Sequence, residues 1–353
     1  MNLRTIGRTP VRVGELGFGA APLGNLYSAV DDATAGATIE AAWAAGVRHF
    51  DTAPHYGLGL SERRLGRALA GRPRDRFTLS TKVGRLLVTN PHPTGSDLAA
   101  GGFDVPDTSV RRPDYSRDGV LRSLEASRAR LGVDRIDIVY VHDPDEHMDT
   151  AVDQAVPALV ELREQGVVGA VGVGMNSVPP LLRFVAETDV DVVMVAGRWT
   201  LADRSALPLL AACADRGVSA VAAAPFNSGL LSSPSPADGA YFDYRPAPAD
   251  LLARARALAG VCRRHGTVLP HAAIRFPLRH PVVASVVAGF RTPEEVRSAA
   301  RWAARDLPSR AWEELEAVVT GEAPEPAAKP SAEPADEQAA EPADEQAGEN
   351  TAS

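Results

Sequence analysis

Four side chains that could move a proton stand at or just beyond the ends of predicted apolar strands. Asp51 and Tyr56 lie in the stretch FDTAPHYGLG, Lys82 ends FTLSTK, and His142 ends IDIVYVH. A lysine ammonium beside a phenol favours the phenolate and lowers the tyrosine pKa from about 10 toward neutral pH. Asp51 would hold Lys82 and balance its charge, while His142 could hydrogen-bond the same oxygen as the phenol. These residue types predict a site for general acid and base catalysis.

Each of these residues also has an ordinary structural explanation. Lys82 alone could end a strand at the surface, and His142 alone could be a hydrogen-bonded core histidine. Asp51 and Tyr56 by themselves are weak evidence for chemistry. The convergence of all four on one rim of a barrel would be hard to explain structurally, so we favour the catalytic interpretation.

The elements that would position these residues alternate between apolar strands and amphipathic helices. Eight such units at this length predict an α/β chain folded as a closed (β/α)8 TIM barrel, with a doubly wound open sheet as the alternative. The stretch GFGAAPLG in the first strand and loop lacks the G-x-G-x-x-G spacing of a Rossmann fold. In a barrel all strand ends share one face, which would bring the four residues together. The predicted strands are residues 16–21, 47–51, 77–82, 136–142, 167–173, 190–196, 218–223 and 282–287.

One long segment interrupts this alternation. Residues 84–116 follow the third predicted strand, are rich in Gly, Pro, Asp and Thr, and show no clear periodicity. A connection of this length inside a domain is usually either functional or disordered. Because the alternation resumes directly after it, we favour a lid or substrate loop, with disorder as the alternative.

The charge of the chain is concentrated at its C-terminus. Residues 322–353 carry nine acids and one lysine, a net charge of −8, and the whole chain of 353 residues is also −8. Residues 1–321 are therefore close to neutral and have no electrostatic footprint for nucleic acid. The tandem repeat EPADEQAA, EPADEQAG has no aromatic residues and cannot bury a core. We expect a barrel over residues 1–321 and a disordered acidic tail over residues 322–353.

Cysteine usage and the N-terminus bear on the cellular compartment. The two cysteines, Cys213 and Cys262, lie in predicted helices, where buried thiols are favoured over a disulfide and a reducing compartment is indicated. The N-terminal stretch MNLRTIGRTPVRVGELG lacks the apolar core of a signal peptide, and no run is long enough to span a bilayer. We therefore expect a cytoplasmic protein without a membrane partner.

Several longer stretches resemble the aldo-keto reductase superfamily. They are FDTAPHYGLGLSERRLGRAL, the lysine at the end of STK, DRIDIVYVHDPD and GFRTPEEV, and the resemblance spans residues 16–304. DYSRDGVLRSLEASRARLGVDRIDIVYVHDPD and AGRWTLADRSALPLL resemble most the branch that contains D-threo-aldose 1-dehydrogenase, L-fucose dehydrogenase and pyridoxal 4-dehydrogenase.

This resemblance implies a catalytic tetrad of Asp51, Tyr56, Lys82 and His142, with Tyr56 as the general acid and base. It also implies a nicotinamide cofactor, NAD or NADP, bound in an extended form across the barrel mouth. The residues that match the family's cofactor positions are Asn176 (with a one-residue shift), Trp199 as the stacking aromatic, Phe226, Asn227, Ser228, Gly229 and Leu231 along the pyrophosphate, and Gly289, Phe290, Arg291, Thr292 and Glu295 at the adenosine end.

The sequence departs from the family pattern at several cofactor positions. Gly174 and Met175 stand where the family has a Ser-Asn pair on the carboxamide, Ala196 replaces a glutamine, and Ala299 replaces an asparagine. Arg291 could pair with a 2′-phosphate, but no lysine stands beside it. NAD and NADP therefore both remain open at this point.

The resemblance implies NAD(P)-dependent hydride transfer at a carbonyl or hemiacetal carbon of an aldose-like or pyridoxal-like small molecule. Oxidation of an aldose to a lactone is favoured, by a monomer or a homodimer. Candidate substrate contacts come from the rim loops, and ordinary loop residues are an equally weighted alternative. These candidates are Asn25, Tyr27, His55 and Arg85.

Three other functions are compatible with a barrel. The chain could be a general aldehyde or ketone reductase, or a non-catalytic regulatory barrel that binds NADPH. It could also be a metal-dependent hydrolase that uses Asp51, His55 and His142. The sequence has no H-x-H or comparable ligand cluster, so we expect no metal.

Overall fold

The computed structural model describes residues 2–321, and the predicted acidic tail lies outside these described residues. Eight parallel strands form a closed barrel in which each strand pairs with the next and the eighth pairs with the first. The closing pair aligns Val286 with Leu16 and Gly289 with Gly19. This closure confirms the predicted barrel and excludes the open sheet. The strands are β1 Leu16–Gly19, β2 His49–Asp51, β3 Thr78–Val83, β4 Ile136–His142, β5 Val168–Met175, β6 Val192–Ala196, β7 Ser219–Ala223 and β8 Val283–Gly289.

The strands form where apolar and β-branched residues run with little interruption, because parallel strands of a barrel are covered on both faces. β4, with the sequence IDIVYVH, is buried at every position. Ile6 and Val13 join the apolar cluster inside the barrel. They belong to an N-terminal hairpin of Leu3–Thr5 and Arg12–Gly14, which leads into the start of β1. The hairpin therefore closes the amino-terminal end of the barrel, and the carboxyl-terminal face is left for a site.

The helices that connect the strands pack around the outside of the barrel. The first is capped by Asp31, whose carboxylate accepts the backbone N–H of Thr34 at 2.8 Å, the preferred chemistry for a helix start. As predicted, Cys213 and Cys262 are buried, free thiols. Within residues 2–321, no helix is long and apolar enough to cross a lipid bilayer. The helices are α1 Asp32–Ala44, α2 Leu60–Leu69, α3 Leu98–Gly101, α4 Arg117–Leu131, α5 Met148–Thr150, α6 Val156–Glu164, α7 Val178–Glu187, α8 Leu207–Arg216, α9 Ala249–Arg264, α10 Leu269–Arg275, α11 Pro293–Ala303 and α12 Ser309–Thr320.

The C-terminal helix α12 was not predicted by the alternation of strands and helices. It follows the eighth unit and leads to no further strand, so a count of β/α units passes over it. Trp312 and Leu315 are 3% and 1% exposed, and the helix packs against α9. Its role is to cover apolar surface on the outside of the barrel.

The long segment after β3 contains regular structure that its composition did not predict. Arg85–Thr89 pairs in antiparallel fashion with Ser109–Pro113, and α3 lies between these two strands. Phe103 is 2% exposed and forms a bridge with the loop after β1. Arg111 donates to both carboxylate oxygens of Asp97, at 2.7 and 2.6 Å. The segment is thus an ordered hairpin over the barrel mouth, which favours the lid or substrate loop over disorder.

Candidate active site

Three adjacent strands carry the predicted polar residues to one face of the barrel. Asp51 is the last residue of β2, Lys82 the next to last of β3, and His142 the last of β4. β2 pairs with β3, and β3 pairs with β4, so the three side chains stand on neighbouring strands. Tyr56 follows β2 in a turn where Gly57 has a φ of 60°. A Cβ at Gly57 would collide with the backbone of the facing loop, so this turn requires glycine.

The lysine and the aspartate form a buried ion pair. Lys82 Nζ donates to Asp51 Oδ2 at 2.6 Å and to the carbonyl of Thr52 at 2.9 Å. The other oxygen of Asp51 accepts the Ser80 hydroxyl at 2.7 Å. Burial lowers the pKa of Lys82, but the charges of Asp51 and Tyr56 outweigh it and raise that pKa overall. The ammonium is therefore protonated at neutral pH and held in one position.

Tyr56 stands next to this ammonium. Lys82 Nζ lies 4.7 Å from the centroid of the Tyr56 ring. The ring of His142 meets it edge-on at 5.9 Å and 88°, and the ring of Phe103 lies at 6.1 Å. Burial raises the pKa of Tyr56, and Lys82 only partly opposes this effect. The predicted net lowering of that pKa is therefore wrong, because desolvation prevails over an ammonium whose field Asp51 partly neutralises.

His142 supplies a neutral hydrogen-bonding group beside the phenol. Burial, followed by the charges of Arg85 and Lys82, lowers its pKa well below the ordinary value. At pH 7 the imidazole is therefore uncharged, with one donor and one acceptor nitrogen. Its backbone carbonyl accepts the Tyr115 hydroxyl at 2.6 Å. His142 can thus orient an oxygen near Tyr56 without adding charge to the site.

Two of the predicted substrate contacts, His55 and Arg85, lie beside the tetrad. The rings of His55 and His142 are 5.7 Å apart, and Arg85 Nη1 is 3.5 Å from His55 Nδ1. Burial and the nearby Arg111 lower the pKa of His55 to about 2. Sequence analysis missed Asp143, whose Oδ2 accepts Arg85 Nη2 at 2.8 Å. Its place directly after His142, in the stretch VHDPD, was a usable signal.

The other two substrate candidates lie away from the tetrad. Asn25 is 8% exposed, its Nδ2 donates to the carbonyl of Asp104, and its Oδ1 accepts from Val30 N and Arg64 Nη1. This contradicts a substrate role for Asn25, because its buried amide is already bonded within the rim loops. Tyr27 is 58% exposed and lines a different cavity.

That cavity, of about 510 Å³, opens where β1 and β8 end. Its volume is in the range of ligand sites. Ser298 and Trp302 also line it, and sequence analysis missed both. Their spacing with residues 295 and 299 on one face of α11 was the signal that could have found them. The predicted cofactor residues that line the cavity are Phe226, Gly289, Phe290, Arg291, Thr292 and Glu295.

Arg291 builds one wall of this cavity. Its guanidinium donates to the carbonyl of Leu26 at 2.8 Å and to the carbonyl and hydroxyl of Ser28 at 2.9 Å. Its backbone N–H donates to Glu295 Oε2 at 2.7 Å. Thr292 caps α11 by accepting the N–H of Glu295. Arg291 therefore ties the loop after β1 to the start of α11.

A hydrolase that uses Asp51 and the two histidines would need a metal site. Within residues 2–321, no group of three or more His, Cys, Asp and Glu side chains is arranged to hold a metal ion. Both carboxylate oxygens of Asp51 are instead bonded, one to Lys82 and one to Ser80. This pairing favours proton transfer over metal binding at the strand ends.

Known proteins share this sequence pattern. The family model described as "Aldo/keto reductase family" matches residues 15–320. This chain belongs to the aldo/keto reductase family. The reductase is 47% identical over 304 residues to D-threo-aldose 1-dehydrogenase from Pseudomonas sp, across 85% of this chain and 92% of that protein. It is 38% identical over 333 residues to pyridoxal 4-dehydrogenase from Microbacterium luteolum, across 88% and 96%.

Solved structures show the same fold. The aldo-keto reductase AKR11C1 from Bacillus halodurans matches the reductase with a TM-score of 0.72 at 24% identity, over 90% of this chain and 96% of that one. The glycerol dehydrogenase AKR11B4 from Gluconobacter oxydans matches with a TM-score of 0.71 at 21% identity, over 92% and 97%. These likenesses show the barrel fold, and the family match together with the relative at 47% identity identifies the chain as an oxidoreductase that uses a nicotinamide cofactor.

One polar atom of the reductase fits such a cofactor. Asn227 is 5% exposed, and its Nδ2 donates to the carbonyl of Gly197 at 2.9 Å. Its Oδ1 is buried and accepts no hydrogen bond from residues 2–321. An unpaired buried acceptor costs about 1–3 kcal/mol, so this oxygen is suited to a donor such as a cofactor amide.

The loop around Asn227 differs from the prediction in one respect. Ser228 and Gly229 have φ values of 56° and 102°, which gives an irregular turn. The N–H groups of Gly229 and Leu231 both donate to the carbonyl of Phe226. The resemblance implied that these two N–H groups bind a pyrophosphate. In the structure they are instead used within the turn and are not open to one.

The packing of Trp199 does not favour its predicted stacking role, which stays a prediction. This residue is 8% exposed, its indole N–H donates to the carbonyl of Pro277, and its ring packs on Phe276 and His280 at 5.2 and 5.6 Å. Stacking on a cofactor needs an open ring face, and at 8% exposure the indole offers little of one. Asn176 is exposed directly after β5 and stays a candidate cofactor contact.

Proposed function

We propose that this enzyme oxidises the anomeric carbon of an aldose-like cyclic hemiacetal to a lactone, with NAD as the hydride acceptor. The relative at 47% identity, D-threo-aldose 1-dehydrogenase, supports the aldose-like substrate class. The observation that carries the proposal is the buried Asp51–Lys82 pair, which holds an ammonium 4.7 Å from the Tyr56 ring. A pyridoxal-like hemiacetal is the second candidate, because the chain is 38% identical to pyridoxal 4-dehydrogenase.

The tetrad residues have separate roles in this reaction. A bound nicotinamide supplies the acceptor for the hydride that leaves the anomeric carbon. Tyr56 Oη takes the proton from the hydroxyl on that carbon, so the C–O bond becomes the lactone carbonyl. Lys82 stabilises the phenolate by its charge, and Asp51 holds the ammonium in place. In the reverse direction the Tyr56 phenol protonates the oxygen of the reduced carbon.

His142 complements this proton transfer. A neutral imidazole can donate a hydrogen bond to the reacting oxygen while leaving the charge balance at Tyr56 to Lys82. Its low pKa keeps it neutral throughout the working pH range. We assign it the orientation of the substrate oxygen.

The charges around the second cavity support NAD over NADP. Among the described residues that line it, Arg291 is the cation, and Glu294 and Glu295 contribute carboxylates. The guanidinium of Arg291 is already bonded to Leu26 and Ser28. A 2′-phosphate would bring about two further negative charges to a wall without an unengaged cation, whereas a 2′-hydroxyl could donate to a carboxylate.

Absorbance at the reduced-nicotinamide band tests the proposal. Purified protein is assayed with a panel of aldoses, pyridoxal and simple ketones, each with NAD and with NADP. We expect NAD-linked oxidation of at least one aldose, with the lactone as product. Turnover of pyridoxal alone would support the second candidate, and no turnover of any aldose or pyridoxal would refute the proposed function.

Tyr56→Phe tests the assigned role of the phenol. Turnover should fall on the order of 10³-fold, because the proton acceptor is removed, while NADH binding measured by fluorescence stays unchanged. Tyr241→Phe is the matched control, since Tyr241 is 52% exposed and lies in a short hairpin that is not part of the tetrad. Undiminished turnover in Tyr56→Phe would contradict the role.

A further inference from the structure

We propose that the Arg85–Asp143 ion pair binds two neighbouring hydroxyl groups of the substrate, and that the mouth around it selects uncharged sugars over sugar phosphates and sugar acids. This inference rests on the proposed function, because it specifies the substrate class of the same site. It gives a role to a pair of side chains that proton transfer does not use.

The pair stands next to the tetrad. Arg85 Nη2 donates to Asp143 Oδ2 at 2.8 Å, and the same carboxylate oxygen lies 3.5 Å from His142 Nε2. The side chains of Arg85 and Asp143 are 22% and 32% exposed. Both are thus partly open to a ligand, and Asp143 lies beside His142, to which we assign the orientation of the reacting oxygen.

The backbone of Asp143 is held by two hydrogen bonds. Its N–H donates to the carbonyl of Gly174 at 3.0 Å, and its carbonyl accepts the Tyr115 hydroxyl at 2.9 Å. Its φ of 41° lies in the left-handed region, which aspartate adopts more readily than most residues. A carboxylate fixed in this way loses little freedom when a ligand binds.

Together the two side chains offer a donor and an acceptor to the same ligand. Asp143 Oδ1 accepts no hydrogen bond from any described residue, since the contacts of this carboxylate within residues 2–321 are all made by Oδ2. A carboxylate only accepts hydrogen bonds and a guanidinium only donates them. Two adjacent sugar hydroxyls match this arrangement, because one can donate to Asp143 while the other accepts from Arg85. A simple aldehyde lacks these groups.

The charges around the tetrad cancel locally. Lys82 is paired with Asp51 at 2.6 Å, Arg85 with Asp143 at 2.8 Å, and Arg111 with Asp97 at 2.6 Å. The two histidines nearby add no charge at pH 7, because burial lowers the pKa of His142 and brings that of His55 to about 2. Among the described residues, the mouth therefore presents these neutral ion pairs to an incoming ligand, and the exposed carboxylate of Asp145 lies near enough to add to the effect of burial, which raises the pKa of Asp143.

Among the described residues of the mouth, a sugar phosphate or sugar acid would find no unpaired cation. An anion moved from water to a partly buried position loses hydration and needs a paired opposite charge to compensate. A neutral sugar loses less hydration and regains its hydrogen bonds from the existing pair. The charge balance of the mouth thus discriminates by the charge of the substrate.

Two variants that unbalance the pair in opposite directions test this inference. The substrates are the aldose that wild type oxidises fastest, its terminal phosphate ester, and butanal in the reductive direction. Wild type should prefer the free aldose to the ester by at least about tenfold in kcat/KM. Asp143→Asn should lower kcat/KM for the free aldose about 10- to 100-fold, mainly through KM, because a hydrogen bond to a charged group is lost. It should also narrow the preference for the free aldose over the ester, since the positive charge of Arg85 then lacks the balancing charge of Asp143.

Arg85→Gln should instead widen the preference for the free aldose over its phosphate ester, because the carboxylate of Asp143 then repels the phosphate. Reduction of butanal, which has neither hydroxyl, should fall less than oxidation of the free aldose in both variants. The matched control is Asp75→Asn, which removes an equal charge from an exposed residue just before β3, at the amino-terminal end of that strand and away from the mouth. This control should leave the preference unchanged.

Several outcomes would overturn the inference. These are equal use of the ester and the free aldose by wild type, parallel losses on all three substrates in both variants, and an equal effect of the control. Parallel losses would indicate structural damage, which thermal melting and NADH binding would also detect. If wild type oxidises an aldose but neither variant changes the preference for the free aldose over its ester, this inference alone fails. If wild type oxidises no aldose, the proposed function fails with it.

Discussion

The tetrad and the cavity at the ends of β1 and β8 are built in different ways. In the tetrad, polar side chains on neighbouring strands are buried and bonded to one another, as in the ion pair of Lys82 and Asp51. In the cavity, the walls come from loops and from α11, and Arg291 is bonded to the loop carbonyl of Leu26. The first region is rigid because strands position it, whereas the second depends on how separate segments meet.

This difference has a functional consequence. Proton transfer requires groups placed within a fraction of an ångström, and adjacent strands of a closed barrel provide that placement. Cofactor binding depends on a larger surface in which individual contacts contribute less. Changes in the tetrad should therefore affect turnover and folding together, while changes in the cavity should affect mainly cofactor affinity.

The largest effect is expected for Lys82→Met. Turnover should fall on the order of 10³-fold, and the free energy of unfolding should fall by about 3–5 kcal/mol, because Asp51 is left buried without its partner. Urea unfolding followed by circular dichroism measures the second effect.

The double variant Asp51→Asn, Lys82→Met separates chemistry from stability. It should recover most of the free energy of unfolding, because no uncompensated charge stays buried, and it should remain inactive. Recovery of turnover in the double variant would show that the tetrad is not the proton-transfer site.

The pH dependence should also distinguish the two regions. Oxidation needs the Tyr56 phenolate, and burial raises the pKa of Tyr56 above its ordinary value. Below that pKa the rate of oxidation should rise roughly tenfold for each pH unit, whereas reduction, which uses the phenol, should not rise. The dissociation constant of NADH should stay nearly constant over the same range. A rate of oxidation that is flat from pH 6 to pH 9 would contradict the assignment of the base.

A smaller effect is expected in the cavity, for Arg291→Ala. Loss of the guanidinium frees the loop at Leu26 and Ser28 and should weaken NADH binding about tenfold, with kcat nearly unchanged. Arg297→Ala is the control, because this arginine lies on the same helix with a side chain that is 56% exposed. A fall in kcat without a change in affinity would show that the two regions are not separable.

The convergence of the tetrad residues was easier to predict from the sequence than the contacts around the cavity, for a physical reason. Asp51, Lys82 and His142 end apolar strands, and in a barrel this position alone determines that they converge. Trp199 illustrates the opposite case, because its side chain packs on Phe276 and His280, which are distant in sequence. Local pattern carries no information about such a partner.

The pKa of Tyr56 illustrates a second limit. The types of its neighbours indicated that Lys82 would lower it, and Lys82 does act in that direction. The sign of the net shift depends on burial, which Phe103 and the hairpin after β3 help to provide. Composition alone does not predict that this segment folds over the mouth.

The sequence by itself predicted the barrel, the convergence of Asp51, Tyr56, Lys82 and His142 on one face, and the neutrality of residues 1–321. These follow from periodicity and residue type, which act over a few positions of the chain. Only the tertiary structure decided that Asp143 pairs with Arg85, that Asn25 is used within the rim loops, and that one oxygen of Asn227 has no partner within residues 2–321. Those outcomes depend on distances between segments that are far apart in sequence, and packing sets such distances.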